Sequence, residues 1–205
     1  MNTIRQFIMK FKKYLNHFLR MLVTSLSTII CEEQKSKESS KSFDYPHLIF
    51  KLFFGGYRIT QLFGNKLRIN GKEYYPQFGL KGHEGLDVVP KIKGYKAIYT
   101  PADGIVLMTR VSDGRAYGHM IRLWHPQYNL ITEYCHLDKI CVAAKEPVRK
   151  GTHIGTMGNT GSTFGTHLHM NVIKTNDKGE KLNKKNGYLG GIDPLLFLEG
   201  RDYQI

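Results

Sequence analysis

Residues 167–173 read His167-Leu168-His169-Met170-Asn171-Val172-Ile173 and follow directly on Gly165-Thr166. A short run of apolar and β-branched residues entered from a glycine turn is a strand signal. In a strand, residues two apart share a face, so His167 and His169 point the same way. The same grammar extends outward from this segment. Strand-like runs occupy 57–63, 104–108, 119–124 and 130–134. Between them lie Gly55-Gly56, Asp103-Gly104, Asp113-Gly114, Asn129 and Asn159-Thr160-Gly161, which is turn chemistry. A long helical period occurs only at the N-terminus, so the expected fold is mostly β and antiparallel.

Composition agrees with that reading. Among 205 residues, 41% are hydrophobic and 23% charged, which excludes a wholly disordered chain. Twenty-one glycines without a G-X-Y period exclude collagen and favour many tight turns. Three cysteines cannot make a dense disulfide framework, so the core must hold itself or use a metal. The net charge is +13, and both residues 1–50 and residues 51–205 are basic. A basic surface favours polyanions such as an anionic cell wall or anionic lipid. No nucleic-acid motif is visible, and no nucleic-acid partner is expected.

Residues 1–31 form a basic appendage. Ile4, Phe7, Ile8, Phe11, Leu15, Phe18, Leu19 and Leu22 mark one face of an amphipathic helix, and no acid precedes Glu32. The segment suits a signal, an anchor or an interfacial helix meeting a membrane surface, although its apolar run is short for a span. Residues 32–45 contain the polar tract Glu32-Glu33-Gln34-Lys35-Ser36-Lys37-Glu38-Ser39-Ser40-Lys41-Ser42 and read as a flexible linker. The globular domain is expected over 46–205.

The chemistry concentrates in three histidine-bearing segments. In His83-Glu84-Gly85-Leu86-Asp87, an extended backbone puts His83 and Asp87 on one face with Glu84 and Leu86 opposite. His167 and His169 form the second segment, and Tyr134-Cys135-His136-Leu137 the third. Two imidazoles and a carboxylate satisfy a catalytic zinc site, which uses three protein ligands and leaves a position for water. Histidines beside such a site can move protons and stabilise an oxyanion. His17, His47, His119, His125 and His153 read as ordinary surface or core residues.

In combination these segments resemble the lysostaphin/LytM-type zinc metalloendopeptidases, peptidase family M23. The resemblance rests on His83-x3-Asp87, Tyr134-x-His136-Leu137, and Gly158-Asn159-Thr160-Gly161 leading to Gly165-Thr166-His167-Leu168-His169. Ile59-Thr60-Gln61-Leu62-Phe63-Gly64, Pro101-Ala102-Asp103-Gly104-Ile105-Val106, Gly151-Thr152-His153-Ile154-Gly155 and Ile192-Asp193-Pro194 resemble its flanking segments, in the family's order, over about residues 57–198. The resemblance implies a compact antiparallel β domain of the duplicated hybrid motif type. It implies His83, Asp87 and His169 as ligands of one Zn2+ per chain, with His136 and His167 as catalytic histidines. It implies peptidoglycan cross-links as substrate and an extracytoplasmic setting in the cell envelope, with a phage virion or phage lysis protein as the alternative. Family members that activate hydrolases without cleaving typically lose ligands or catalytic histidines, and all five residues are present here.

The remaining candidates read as structural. Cys135 and Cys141 flank a short turn and are either a bridge or two buried free thiols. Asp103, Asp113 and Asp138 fit turns. Tyr57, Tyr74, Tyr75 and Phe78 belong to the core or line a groove. Lys91, Lys93 and Lys96 form a basic loop, either solvated or meeting anionic wall polymer.

Overall fold

The computed structural model describes residues 56–112 and 116–197. The expected N-terminal helix, the linker and Asp113 lie outside the described residues. Among the described residues, thirteen strands run in chain order. They are β1 (Tyr57–Gln61), β2 (Arg68–Ile69), β3 (Lys72–Glu73), β4 (Leu86–Pro90), β5 (Ala97–Tyr99), β6 (Gly104–Arg110) and β7 (Met120–His125), followed by β8 (Leu130–Cys135), β9 (Leu137–Ile140), β10 (Pro147–Val148), β11 (His153–Met157), β12 (Leu168–Lys174) and β13 (Gly191–Ile192). Short 3-10 turns cover Tyr75–Phe78, Pro126–Tyr128 and Pro194–Phe197.

The strands form one large and one small antiparallel sheet plus the β2–β3 ribbon. The large sheet runs β1-β4-β12-β8-β7-β6-β10, with β13 also paired to β12. The small sheet runs β5-β11-β9. Its core gathers Leu86, Val88, Val106, Ile121, Leu123, Leu168, Met170 and Val172, all fully buried. All six residues of β8 are buried, as are the first six of β12. A strand covered on both faces must satisfy any polar group it carries. Glu133 on β8 does so through Arg122 at 2.6 Å and Lys181 at 2.8 Å. Burial raises its pKa, but the two cations outweigh burial and hold the carboxyl below its ordinary value. His125 on β7 is likewise buried between the Asp103 carbonyl at 2.8 Å and Thr132 Oγ1 at 2.9 Å, a structural histidine as its sequence context suggested.

The five expected strand runs all appear, within one or two residues at most of their ends. The segment around His83 differs. β4 starts at Leu86, and residues 83–85 are irregular. That segment pairs instead with the loop after β1, through Gly64 N–H to the His83 carbonyl at 2.8 Å and His83 N–H to the Asn65 carbonyl at 2.9 Å.

Candidate metal centre

Strand register brings Asp87 and His169 together across 82 positions of sequence. β12 lies between β4 and β8, and His169 is the register partner of Asp87 on one side and of Cys135 on the other. Leu168 and Met170, on the opposite face of the same strand, enter the core. A one-residue slip would turn His169 into the core, so the burial of Leu168 and Met170 fixes the direction of the imidazole.

Three donors converge at the floor of a cleft. His83 Nε2 lies 2.9 Å from His169 Nδ1 and 3.1 Å from Asp87 Oδ1. His169 Nδ1 lies 2.9 Å from the same Oδ1. Bonds of 2.0–2.2 Å to a tetrahedral zinc would set donors roughly 3.3 Å apart, so this set is already close to ligating separation. The outer nitrogen of His83 is fixed as well. Its Nδ1–H donates to the Leu62 carbonyl at 3.0 Å, which leaves Nε2 with its lone pair. Burial pushes Asp87 up, but its close contacts with His169 and His83 outweigh burial and hold the carboxyl well below the usual range. Donor type, spacing and the outer partner of His83 fit a divalent metal such as zinc.

The other two histidines stand beside this set. His136 and His167 have ring centroids 4.9 Å apart. Each donates Nδ1–H to a main-chain carbonyl, His136 to Thr160 at 2.7 Å and His167 to Gly165 at 2.7 Å. Each therefore keeps Nε2 as its lone-pair nitrogen, and that of His167 is 3.6 Å from Asp87 Oδ2. Burial drives the His136 pKa down to about 4 despite the Thr160 carbonyl, with the neighbouring His169 and His167 adding to the fall. His136 is neutral near pH 7 and available as a proton acceptor.

His136 occupies an unusual backbone position. It separates β8 in the large sheet from β9 in the small one, and its φ is +59°. A left-handed conformation costs a non-glycine residue about 1–2 kcal/mol. Residues on either side hold it, through His136 N–H to the Tyr117 carbonyl and Leu137 N–H to the His119 carbonyl. Gly118 belongs to this clamp. A Cβ there would lie 2.3–2.4 Å from Thr160, the residue whose carbonyl orients His136.

The cleft encloses about 290 Å³ and is walled mainly by apolar and aromatic groups. Tyr74 makes edge contacts with Phe78 and Tyr75 and lies 5.8 Å from the Phe164 ring. Phe164 is 77% exposed. Tyr74, Tyr75 and Phe78 line the cleft, whereas Tyr57 packs on the core.

All five residues singled out from the sequence stand at this one cleft. Glu84 was not among them, because strict alternation placed it opposite His83. The irregular backbone of 83–85 turns its carboxylate toward His169 Nε2, at 3.7 Å, and Tyr117 donates to it at 2.6 Å. Gly85, with Val88-Val89-Pro90 after it, favours strand over helix in the sequence, and neither signals the irregular backbone before Leu86. Cys135 and Cys141 are both free; Cys135 is buried and Cys141 is exposed, so there is no bridge. Burial, with the charges of Glu133 and Glu84, pushes the Cys135 thiol up and keeps it protonated.

A description of peptidase family M23 matches residues 81–184, just over half of the chain. The chain belongs to peptidase family M23. Peptidoglycan DD-endopeptidase ShyA of Vibrio cholerae is 38% identical over 92 residues, covering 44% of this chain and 20% of that protein. Murein hydrolase activator NlpD of Escherichia coli K12 is 34% identical over 102 residues, covering 50% and 25%. A solved zinc-containing peptidase from Vibrio cholerae aligns with a TM-score of 0.50 at 25% identity, over 76% of this chain and 39% of that one. The matched M23 segments thus make up a quarter or less of the length of the two curated relatives.

Proposed function

We propose that this M23 chain is a zinc-dependent endopeptidase that hydrolyses peptide cross-links of bacterial peptidoglycan in the cell envelope. The observation that carries the reading is the convergence of three metal donors beside His136 and His167 in an open cleft. His83, Asp87 and His169 would hold one Zn2+. When bound, zinc lowers the pKa of a coordinated water toward ~7 and polarises a carbonyl oxygen. His136, kept neutral by burial, accepts a proton through Nε2. His167, anchored by the Gly165 carbonyl, faces Asp87 and offers the second polar contact to a reacting amide. The aromatic wall excludes water and positions the peptide.

The test uses the full chain. Zinc content is measured, and soluble muropeptides released from purified peptidoglycan are followed before and after chelation. One zinc per chain with chelator-sensitive release supports the reading, and product masses name the bond. Absence of both zinc and release refutes it. The relationship to NlpD, named as a murein hydrolase activator, favours a second reading in which the domain binds wall and activates a separate hydrolase. Wall binding without release, together with stimulation of a separate purified murein hydrolase, would select that reading.

A further inference from the structure

One nitrogen of the donor set lacks a partner. His169 presents Nδ1 to the cluster, so ligation requires its ring proton to sit on Nε2. Nε2 is buried and makes no hydrogen bond. An orphaned buried donor is costly, so its surroundings decide whether the ring keeps this tautomer. The alternative tautomer carries the proton on Nδ1, donates it to Asp87 Oδ1 at 2.9 Å, and cannot offer Nδ1 to a metal in this cluster.

Glu84 bears on that choice. Its Oε1 is 3.7 Å from His169 Nε2, and the residue is only 4% exposed. Tyr117 donates its hydroxyl to the same oxygen at 2.6 Å. Burial, aided by Glu84, pushes the Tyr117 phenol far above its ordinary range, so it remains a donor. Gly85 makes the approach possible. A Cβ at Gly85 would stand 2.7 Å from His169 Cε1, 2.8 Å from Nε2 and 2.5 Å from the Met170 carbonyl. The backbone therefore passes directly against the imidazole, and the residue before the glycine places its carboxylate at the outer nitrogen.

This inference rests on His169 being a metal ligand. We propose that Glu84 is a positioning residue for the metal centre: latched by Tyr117, its carboxylate accepts the Nε2–H of His169 and holds Nδ1 toward the ion. A contraction of roughly 0.8 Å brings the pair to the usual N–H···O length. Carboxylates that hold the outer nitrogen of a ligating histidine typically contribute 10–100-fold in metal affinity. Tyr117 acts one step further out, by fixing the carboxylate.

The experiment measures zinc affinity of the full chain by chelator competition, without substrate. The variants are Glu84→Ala, Glu84→Gln, Tyr117→Phe and the Glu84→Ala/Tyr117→Phe pair. Glu84→Ala should weaken zinc binding about 10–100-fold. Glu84→Gln, which keeps an acceptor oxygen, should recover part of that loss. Tyr117→Phe should cost less than Glu84→Ala, and the double variant should be no weaker than Glu84→Ala, because one group works through the other. The visible absorption of the Co2+-loaded protein should change in Glu84→Ala. Parent-like affinity in Glu84→Ala, or additive losses in the double variant, overturns the proposal. If Glu84→Ala fails to fold, as read from melting in chelator, parent-like affinity in both Glu84→Gln and Tyr117→Phe overturns it equally. A parent chain that holds no zinc overturns the endopeptidase reading itself, an outcome distinct from zinc held equally by parent and variants.

Discussion

Asp87 and His169 sit side by side on paired strands at the floor of the cleft, whereas Tyr74, Phe78 and Phe164 line it from a 3-10 turn, the residue before that turn, and a loop. The floor residues are buried, while Phe164 is 77% and Phe78 46% exposed. Asp87 and His169 are tied to a register that cannot slip without turning a core face outward. The rim residues contact one another through their rings, and loops of this kind tolerate exchange. The difference teaches where the two kinds of information reside. On the proposed function, the metal donors Asp87 and His169 are committed on the sheet, and substrate preference would be set on segments that can change without disturbing it.

The comparison breaks most visibly at the floor. His169→Ala should abolish both metal binding and peptidoglycan hydrolysis, read by zinc content and muropeptide release. Retained zinc would mean that the floor is not the metal site. A smaller and more selective loss is expected at His136. His136→Ala should keep its zinc while hydrolysis falls about 10²–10⁴-fold, the usual contribution of a positioned acid–base group. An empty site in that variant would place His136 among the ligands instead. At the rim, Phe164→Ala should raise KM several-fold with kcat and zinc content nearly unchanged, since an aromatic contact contributes about 0.5–1.5 kcal/mol. A fall in kcat alone would move Phe164 from the rim into the chemistry.

The smallest effect concerns the scaffold beneath both regions. Burial lowers the His125 pKa, against the opposing pull of the Asp103 carbonyl. In the unfolded chain the group titrates near ~6.5. Below that value the unfolded state binds more protons than the folded one, so stability is full above it and declines as pH falls toward the depressed folded value. Urea melts of the full chain from neutral to mildly acid pH should show that decline. The slope should be shallower in His125→Gln. An equal slope in both would assign the acid sensitivity elsewhere.

Much of the floor was legible in sequence because strand periodicity is a strong local rule. His167-Leu168-His169 declares its own geometry, and the flanking glycine turns declare the strand ends. What escaped reading lies where the backbone leaves that rule. Residues 83–85 precede the strand they were assigned to, so Glu84 faces the site rather than away from it. The partnership of His136 with Thr160 depends on a left-handed joint and on the close approach of Gly118, neither of which periodicity encodes. The two cysteines were read as a bridge or as two buried thiols. Cys135 is buried and Cys141 exposed, and alternation could not foresee that, because β9 belongs to a different sheet from β8.

That change of sheet at His136 also sets a condition for anyone building such a site elsewhere. Copying five side chains onto a flat scaffold at matching Cα positions would reproduce the ligands and leave His136 misaimed. Its direction is a property of the joint: a strand that leaves one sheet, passes through a single residue of the opposite backbone hand, and enters another. The smallest transplantable unit is therefore the crossing, with the carbonyl of Thr160 and the bare Cα of Gly118 that keep it in place.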